Sequence, residues 1–502
     1  MRNAILTLLS ILFIVAISSC RKDFSTSASS GNLTFSKDTV YLDTVFTNIG
    51  SSTYNLKVYN NSGDDIHIPT IELGRGTNSN FRLNVDGIAG QYFENIEIKS
   101  KDSIFIFIET TVDILDETTT ATEFLYKDSI IFDGVRNYQD VKLVTLVKDA
   151  EFIYPAALND GELNNFDLTP AQLNWTNEKP YVIYGYPTVP NGETLTIEEG
   201  ARIHFHRNSG LIVSNGATIT ADGDISSDQD LLEKEIIFEG DRLEPLYSDI
   251  PGQWGTIWLQ EGSTNNLFDH VTIKNGTIGL RNDLNDGNLT TTLNNVQLYN
   301  HSVNAILAIG GNIEANNLIA GNCGQATVAL TAGGTYNFNH CTLTNYWTNG
   351  FRSFPTLLVS NQLQAGETLI VGDLLAANFT NTIVYGNENL EFNLEKNNSA
   401  AFNYNFTNCL LRFNDTNQQF ANNPLYDFSN TLGGGEYSMN IYNNNPNFLN
   451  QSNNEFLIEL GNSPADDTGV LTGLTEDILG NTRSSGNTDM GAYQADVFPT
   501  DD

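Results

Sequence analysis

The segment Phe268-Asp269-His270-Val271-Thr272-Ile273 is the first of six copies of one pattern. In each copy an Asn or His stands before an anchor residue, and an alternating strand follows the anchor. The Asn or His positions are His270, Asn295, Asn317, His340, Asn381 and Asn408, and the anchors after them lie 25, 22, 23, 41 and 27 residues apart. Both residue types tolerate a left-handed backbone and can hydrogen-bond a turn locally. A period of about 23 residues with strands and turns predicts a solenoid in which these residues form a ladder of bends. The side chains of Asn295 and Asn317 are expected to stack one rung apart and to point into the coil.

Motifs on both sides of the repeat resemble one class of protein. Residues 195–200 (LTIEEG), 210–213 (GLIV) and 216–219 (GATI) resemble opening rungs, and residues 252–257 (GQWGTI) resemble a common rung. Residues 447–449, 462–465, 477–483 and 489–493 resemble a closing segment. Together these motifs resemble a right-handed parallel β-helix of the pectate-lyase-like type. The resemblance implies a fold and leaves the function open, because this scaffold hosts lyases, hydrolases, adhesins and inert surface proteins.

The region before the repeat is different. Its short alternating strands are predicted at residues 33–35, 54–59, 66–73, 81–85, 96–98, 104–108, 130–132 and 141–147. This pattern, which lacks helical periodicity, predicts an immunoglobulin-like sandwich of the kind that serves as a stalk in cell-surface proteins. The predicted chain is therefore all-β, with an immunoglobulin-like β-sandwich at 32–150, a junction at 151–190 and a right-handed parallel β-helix with its closing segment at 191–495.

Length and charge limit the possible partners. A chain of 502 residues is long enough for two folded domains. It carries 60 acidic and 24 basic residues and has a pI of about 4.2. Nucleic-acid binding requires basic surfaces, so we expect no nucleic-acid partner. The same acidity disfavours adsorption to anionic lipid headgroups.

The N-terminus reads as a targeting segment. Arg2 is followed by an apolar run at 4–17, which is long enough for a signal peptide and too short to span a bilayer. The run ends in Ile17-Ser18-Ser19-Cys20, which resembles the cleavage site of a bacterial lipoprotein. The resemblance implies a signal peptide at 1–19, lipidation of Cys20 and a flexible tether at 20–31. The expected location is the outer membrane, lipid-anchored, on its periplasmic or its surface-exposed face.

The solenoid resemblance also indicates where a site would lie. β-Helix enzymes carry their chemistry on the outer side of one parallel sheet, which is expected here at 277–281, 304–309, 326–331 and 350–354. Strict alternation predicts these outward residues: Thr277, Gly279, Arg281, Asn304, Ile306, Ala308, Thr327, Ala329, Thr331, Gly350, Arg352 and Phe354. The strip contains two arginines and no carboxylate, whereas glycoside hydrolases require two carboxylates. We therefore expect no catalytic residues.

Ligand binding is the predicted function. Arg281 and Arg352 are the expected hydrogen-bond donors to a glycan. Trp258, Trp347 and Tyr346 are the aromatic side chains available to stack on sugar rings, although packing between rungs is the favoured interpretation for them. The expected protein is a membrane-anchored surface lipoprotein whose partner is a polysaccharide or another cell-surface molecule. The alternative is a polysaccharide lyase or glycoside hydrolase with its site in loops such as 353–377.

Candidate metal ligands are sparse. His204 and His206 point to one face of a strand, but no third ligand is evident in the sequence. Asp283 and Asp286 lie in a loop that lacks the glutamate of an EF-hand, so this loop is interpreted as a turn. The pair at 466–467 is expected to tie the terminal loop. We expect no metal site and no cofactor, although the acidic surface leaves calcium open.

Three cysteines remain after Cys20. Cys323, Cys341 and Cys409 form no CxxC pair, which argues against a metal site or a disulfide framework. Cys341 and Cys409 occupy the anchor position of the repeat and are expected to be small buried apolar residues. A disulfide between Cys323 and Cys341 is the alternative.

Overall fold

The computed structural model describes residues 25–117, 121–157, 159, 163–284, 288–429 and 436–499. The predicted signal peptide, Cys20 and Asp286 lie outside these ranges. The prediction of an all-β chain is confirmed, because the helical elements of the described residues are short 3-10 turns: Gly76–Asn78, Ile114–Asp116, Pro170–Gln172, Pro245–Tyr247, Pro424–Tyr426 and Gln451–Asn453. No helix within the described ranges has the length and apolar content that a membrane crossing requires.

Contacts divide the chain into two compact units, with the boundary between Asp149 and Ala150. The strands of the first unit are β1 (Ser27–Ala28), β2 (Thr34–Phe35), β3 (Thr39–Tyr41), β4 (Val45–Phe46), β5 (Tyr54–Tyr59), β6 (Ile66–Leu73), β7 (Phe81–Val85), β8 (Ile88–Gly90), β9 (Tyr92–Ile98), β10 (Ser103–Thr110), β11 (Glu123–Phe132) and β12 (Gln139–Lys148). A five-stranded antiparallel sheet has the order β2-β5-β10-β7-β8, and the other strands form a seven-stranded mixed sheet.

Both sheets of the first unit contribute residues to its core. Alternation along β10 buries Ile104, Ile106 and Ile108 and leaves Phe105 and Phe107 exposed on the other face. This pattern is the one expected for a strand with one face on a core and one in solvent. The five-stranded sheet therefore presents a free outer face among the described residues of this unit.

The predicted tether is ordered in its last part. Ser27 and Ala28 form β1, which pairs in parallel with Ile66 and His67 of β6. Ser29 is 3% exposed, and its backbone N–H donates to the carbonyl of His67. The tether prediction is therefore wrong for these residues, because their backbone groups complete the edge of a sheet.

The second unit contains three parallel ladders. Its strands are β13 (Glu151–Ile153), β14 (Asn165–Asp167), β15 (Asn174–Trp175), β16 (Tyr181–Ile183), β17 (Tyr186–Val189), β18 (Thr194–Ile197), β19 (Arg202–Phe205), β20 (Leu211–Val213), β21 (Thr218–Asp222), β22 (Ile236–Gly240), β23 (Ile257–Leu259), β24 (Asn266–Lys274), β25 (Ile278–Asn282), β26 (Thr291–His301), β27 (Asn304–Ile309), β28 (Asn312–Asn316), β29 (Ile319–Cys323), β30 (Val328–Thr331), β31 (Gly334–Asn339), β32 (Thr342–Asn345), β33 (Leu357–Ser360), β34 (Gln362–Ala365), β35 (Thr368–Val371), β36 (Leu374–Thr380), β37 (Ile383–Gly386), β38 (Phe392–Glu395), β39 (Asn405–Thr407), β40 (Leu410–Leu411), β41 (Tyr437–Ser438), β42 (Ile441–Tyr442), β43 (Phe448–Asn450) and β44 (Glu455–Ile458).

Each ladder pairs strands of successive turns in register. Ladder A contains β15, β18, β21, the first halves of β24 and β26, β28, β31, β36, β39 and β41. Ladder B contains β13, β16, β19, β22, the second halves of β24 and β26, β29, β32, β37, β40 and β42. Ladder C contains β14, β17, β20, β23, β25, β27, β30, β33 and β38. This parallel pairing is consistent with a β-helix-like solenoid.

Apolar columns fill the interior of the coil. The anchors after the bends, among them Val271, Val296 and Leu318, are 0% exposed. In ladder A, Phe338, Phe379 and Phe406 stack with ring centroids 5.2 and 4.8 Å apart. These spacings match the distance between hydrogen-bonded strands, so identical residues on successive turns meet face to face.

The cysteines of the described chain belong to this interior. Cys323, Cys341 and Cys409 are buried and free, so the alternative disulfide between Cys323 and Cys341 is absent. Burial raises the pKa of the Cys341 and Cys409 thiols to about 12. These thiols are therefore protonated at neutral pH and act as apolar packing groups.

The bend residues separate ladder A from ladder B. All six have a positive φ, between 47° and 53°. The side chains of Asn295 and Asn317 were expected to point into the coil. This expectation is wrong for Asn317, whose Nδ2 donates to the carbonyl of Glu476 near the C-terminus. Asn381 Nδ2 donates to the carbonyl of Val470, and Asn408 Nδ2 donates to the carbonyl of Thr468, so both side chains face the C-terminal residues. The physical reason is that the anchors already fill the interior, whereas the amides need polar partners.

The closing segment, residues 443–499, packs on the outer side of ladder B. Phe456, Ile458 and Met490 form a second apolar cluster with Ile319 and Ile383 of the coil. Ladder B therefore has apolar residues on both faces along these turns. Residues of ladder B that precede Tyr299 lie outside this cluster.

Candidate functional site

The outward residues predicted for ladder C are wrong in part, beginning with β27. Ile306 and Ala308 were expected to face outward, but both are 0% exposed and belong to the core. The partly exposed residues of β27 are Leu307 and Ile309. A shift of one residue exchanges the two faces of a strand. The cross-strand partner decides the face here, because Ile306 pairs with the buried Leu280.

The strand register of ladder C aligns one column of side chains on successive turns. Trp258 pairs with Arg281, Arg281 with Leu307, and Leu307 with Ala329. Cross-strand partners in register point to the same side of a sheet. Trp258 and Arg281, which are 23 positions apart in the sequence, are thereby neighbours on successive turns.

Arg281 and Trp258 form a cluster with Asp283. The guanidinium carbon of Arg281 lies 4.3 Å from the centre of the Trp258 ring. Arg281 donates from Nε to Asp283 Oδ1 at 2.8 Å and from Nη2 to Oδ2 at 2.9 Å. Trp258 Nε1 also donates to Asp283 Oδ2, at 2.7 Å. Asp283 therefore holds the guanidinium and the indole in one fixed arrangement.

The role of Asp283 was missed in the sequence. This residue was interpreted as part of a turn, and the outward strip was expected to lack carboxylates. Asp283 follows the last residue of β25 and accepts from a side chain two positions earlier. The Arg-x-Asp spacing was the available signal, because residues two apart on an extended chain point to the same side.

Arg352 does not face outward. It is 4% exposed, and its partner Glu391 is 0% exposed. Its Nη1 and Nη2 donate to the two carboxylate oxygens of Glu391 at 2.9 and 2.8 Å. The expected strand at 350–354 is also wrong, since β33 begins at Leu357. A buried guanidinium requires a paired acid, and Glu391 supplies it from 39 residues away.

The Trp347 side chain packs against Gly324, whereas two aromatic residues that follow it in the sequence are exposed. A methyl group added at Gly324 would lie 3.3 Å from Trp347 Cζ2, so the indole covers this glycine. The same loop exposes Phe351 to 92% and Phe354 to 43%. The structure does not join Trp347 to the Trp258 and Arg281 cluster by any hydrogen bond or ring contact among the described residues.

His204 of β19 and His206, which directly follows this strand, each lie beside an acid of the next turn. In ladder B, His204 pairs with Glu239, and Asp241 continues β22 beside His206. His206 Nδ1 lies 2.6 Å from Asp241 Oδ2, and Tyr184 stacks on the His206 ring at 4.4 Å. The His206 side chain is 45% exposed. The pair therefore presents one imidazole to solvent in a fixed orientation.

His204 has a different environment. Its Nδ1 lies 3.6 Å from Glu239 Oε1, while Lys274 Nζ lies 3.0 Å from Glu239 Oε2. Burial lowers the pKa of His204, which favours the neutral imidazole. Burial opposes ionisation of Glu239, but the neighbouring charges, among them the Lys274 ammonium, outweigh it, so the pKa of Glu239 is lowered. The array is an ion-paired patch rather than a preformed metal centre.

Three carboxylates meet in the closing segment. Oxygens of Asp466, Asp467 and Asp489 lie within 4.8 Å of one another. Asp489 accepts the backbone N–H groups of Asp467 and Ala495, each at 2.7 Å. Burial raises the pKa of Asp489. These contacts fasten the turns of the closing segment.

Comparison with known proteins adds little. No family model and no curated protein matches the chain. One matching structure is a family 123 glycoside hydrolase from Clostridium perfringens, whose structural analysis concerns glycolipid glycan hydrolysis. The match is 10% identical, covers 24% of this chain and 30% of that chain, and has a TM-score of 0.18. A similarity this low carries no argument about fold or function.

Proposed function

We propose that this protein is a lipid-anchored surface protein that binds glycan on the outer face of ladder C. Three features support a right-handed β-helix of the pectate-lyase-like type: the three parallel ladders, the left-handed backbone conformation of the six bend residues, and the sequence motifs. Two sheets with a shared core support an immunoglobulin-like sandwich for the first unit. One observation supports glycan binding most directly: the guanidinium of Arg281 stacks on the ring of Trp258, and Asp283 accepts hydrogen bonds from both side chains.

The stack is suited to a ligand with hydroxyl or carboxylate groups. Nε and Nη2 of Arg281 donate hydrogen bonds to Asp283, whereas Nη1 donates to no protein acceptor among the described residues. One face of the guanidinium packs on the indole, and the side chain remains 33% exposed. Arginine stays protonated at any working pH and donates in a planar fork. The remaining N–H groups are thus preorganised for sugar oxygens.

Glycan binding can be measured on a glycan array with the full-length protein in mild detergent. Arg281→Ala and Trp258→Ala are each expected to weaken the strongest signal by about tenfold, the loss of one charged hydrogen bond or one ring contact. Arg242→Ala is the matched control, because Arg242 also stacks on an aromatic ring, Tyr247, and pairs with Glu244. An equal loss in the control variant, or no array signal at all, would contradict the proposal.

A second candidate function is that of a polysaccharide lyase or hydrolase whose active site lies on ladder B. The observation in its favour is the His206 and Asp241 pair, because a half-exposed imidazole oriented by a carboxylate suits a general base. The assay is release of reducing ends or unsaturated uronates from pectate, alginate and xylan, with and without calcium. Turnover that His206→Ala abolishes and His67→Ala leaves intact would favour the enzyme. Glycan binding alone predicts no turnover.

A further inference from the structure

The outer face of the five-stranded sheet in the first unit carries two exposed aromatic rings. Phe105 is 44% exposed and Phe107 is 43% exposed, both on β10. Their ring centroids are 6.2 Å apart, and the ring planes differ by 16°. β10 is the central strand of the sheet. Exposed aromatic side chains that adjoin one another mark binding surfaces more often than isolated ones do.

Polar side chains surround the two rings. Asn55 of β5 and Asn84 of β7 flank Phe107 in the cross-strand register. Lys57 flanks Phe105, and its Nζ lies 5.2 Å from the Phe105 ring centre. The surface therefore combines a small apolar platform with amide donors and acceptors at its edges. Small-ligand sites have this composition, with few polar groups placed around apolar contact area.

The size of the platform indicates the size of the ligand. An aromatic side chain presents about 200 Å² at most, so two rings that are less than half exposed offer roughly 170 Å². A stable protein interface covers about 800 Å² on each partner. The backbone of β10 is already paired with β5 and β7, which excludes an added strand at this position. The platform matches one or two sugar rings better than a protein surface.

The net charge of the chain and the charged residues near the two rings indicate whether the ligand is anionic or neutral. The whole chain carries a net charge of −36, which repels polyanions. Near the rings, Arg82 lies 3.9 Å from Glu109, so these two charges offset each other. Among the described residues, Lys57 is the remaining cation in contact with these rings. A neutral polysaccharide meets the fewest electrostatic penalties here.

We propose that this face binds a neutral polysaccharide, with the C–H faces of its sugar rings on Phe105 and Phe107 and its hydroxyls on Asn55 and Asn84. The site lies in a different unit from the Trp258 and Arg281 cluster. It stands whether or not ladder C binds a ligand.

Affinity electrophoresis tests this site. Full-length protein in non-ionic detergent is run in native gels that contain mixed-linkage β-glucan, xylan, galactomannan or, as an anionic comparison, polygalacturonate. At least one neutral polysaccharide is expected to retard the protein. Phe105→Ser with Phe107→Ser should weaken that retardation by about tenfold, as expected for two lost ring contacts. Tyr41→Ser, which removes an aromatic ring that is 69% exposed in the other sheet, is the matched control.

Further variants keep the test decisive. Phe105→Tyr with Phe107→Tyr retains both rings and should retain binding even if the serine variant folds poorly. Arg242→Ala, which removes a ring-stacked arginine of the second unit, should leave the retardation unchanged. Absence of retardation by all three neutral polysaccharides overturns the proposal, and so does retardation that the serine variant keeps. A Trp258→Ala, Arg281→Ala variant that loses the retardation, while the serine variant keeps it, assigns the binding to ladder C and also overturns the proposal.

Discussion

Arg483 Nη2 donates to Asn317 Oδ1 at 2.8 Å and thereby joins the closing segment to the ladder of bends. The two residues are 166 positions apart. Arg483 is 5% exposed, and its Nη2 also donates to the carbonyls of Gly491 and Ala492. Burial lowers the pKa of Arg483 to about 10, yet the side chain remains charged at neutral pH. This contact makes the bend ladder a docking surface for the C-terminus.

Arg483→Ala is expected to loosen the closing segment. The variant leaves Asn317 and two backbone carbonyls without their charged donor, which costs about 3 kcal/mol of unfolding free energy. Urea unfolding measures the loss, and limited proteolysis should show cleavage after residue 443 before cleavage of the coil. Arg242→Ala serves as a control on the surface, with a change of less than about 1 kcal/mol. An unchanged proteolysis pattern would refute the docking role.

The Arg352 and Glu391 pair should behave as a buried ion pair. Arg352→Met or Glu391→Leu removes one partner and is expected to cost about 3–5 kcal/mol. The double variant Arg352→Met with Glu391→Leu should cost less than the sum of the single changes, with a coupling energy of about 2 kcal/mol. Thermal and urea unfolding of all four proteins complete the cycle. Strict additivity would show that the two side chains do not depend on each other.

His340 should make stability pH-dependent. Burial lowers its pKa to about 3 from an ordinary 6.5, and Asn381 Nδ2 lies 2.8 Å from its Nε2. Because the folded pKa is the lower one, the neutral imidazole stabilises the fold above pH 6.5, and this stability is lost as pH falls towards about 3.

His340→Asn tests this dependence, because Asn occupies the same bend position on neighbouring turns. Between pH 6 and pH 4 the wild type should lose up to about 1.4 kcal/mol per pH unit more than the variant. Urea midpoints at each pH measure the difference. Parallel curves for the two proteins would exclude His340 as the responsible group.

Cys20→Ala tests the anchor. The sequence resemblance makes its thiol the attachment point for lipid, so the variant should leave the membrane fraction and lose incorporated fatty acid. Metabolic labelling and fractionation measure both effects. Cys323→Ala is the matched cysteine control and should stay in the membrane. Retention of the Cys20 variant after a high-salt wash would show that another element holds the protein.

Local patterns explain the parts that the sequence predicted. Asn and His at the bend positions accept a positive φ, and the alternating residues after them bury their apolar side, so the strands and bends follow from neighbours within a few residues. The pairing of Trp258 with Arg281 also follows once the rungs are aligned. The sequence alone therefore determined an all-β chain with stacked strands.

Only the tertiary structure decided where the charged side chains of the coil point. Arg352 turns inward because Glu391 is buried beside it, and no local pattern joins residues 39 positions apart. The outward face of β27 depends on its partner Leu280, since one position of register exchanges the faces. The direction of the bend side chains depends on a closing segment that folds back over them from 60 or more residues away, as Asn408 and Thr468 show. Such contacts arise from packing between distant segments, and packing is set by the whole fold.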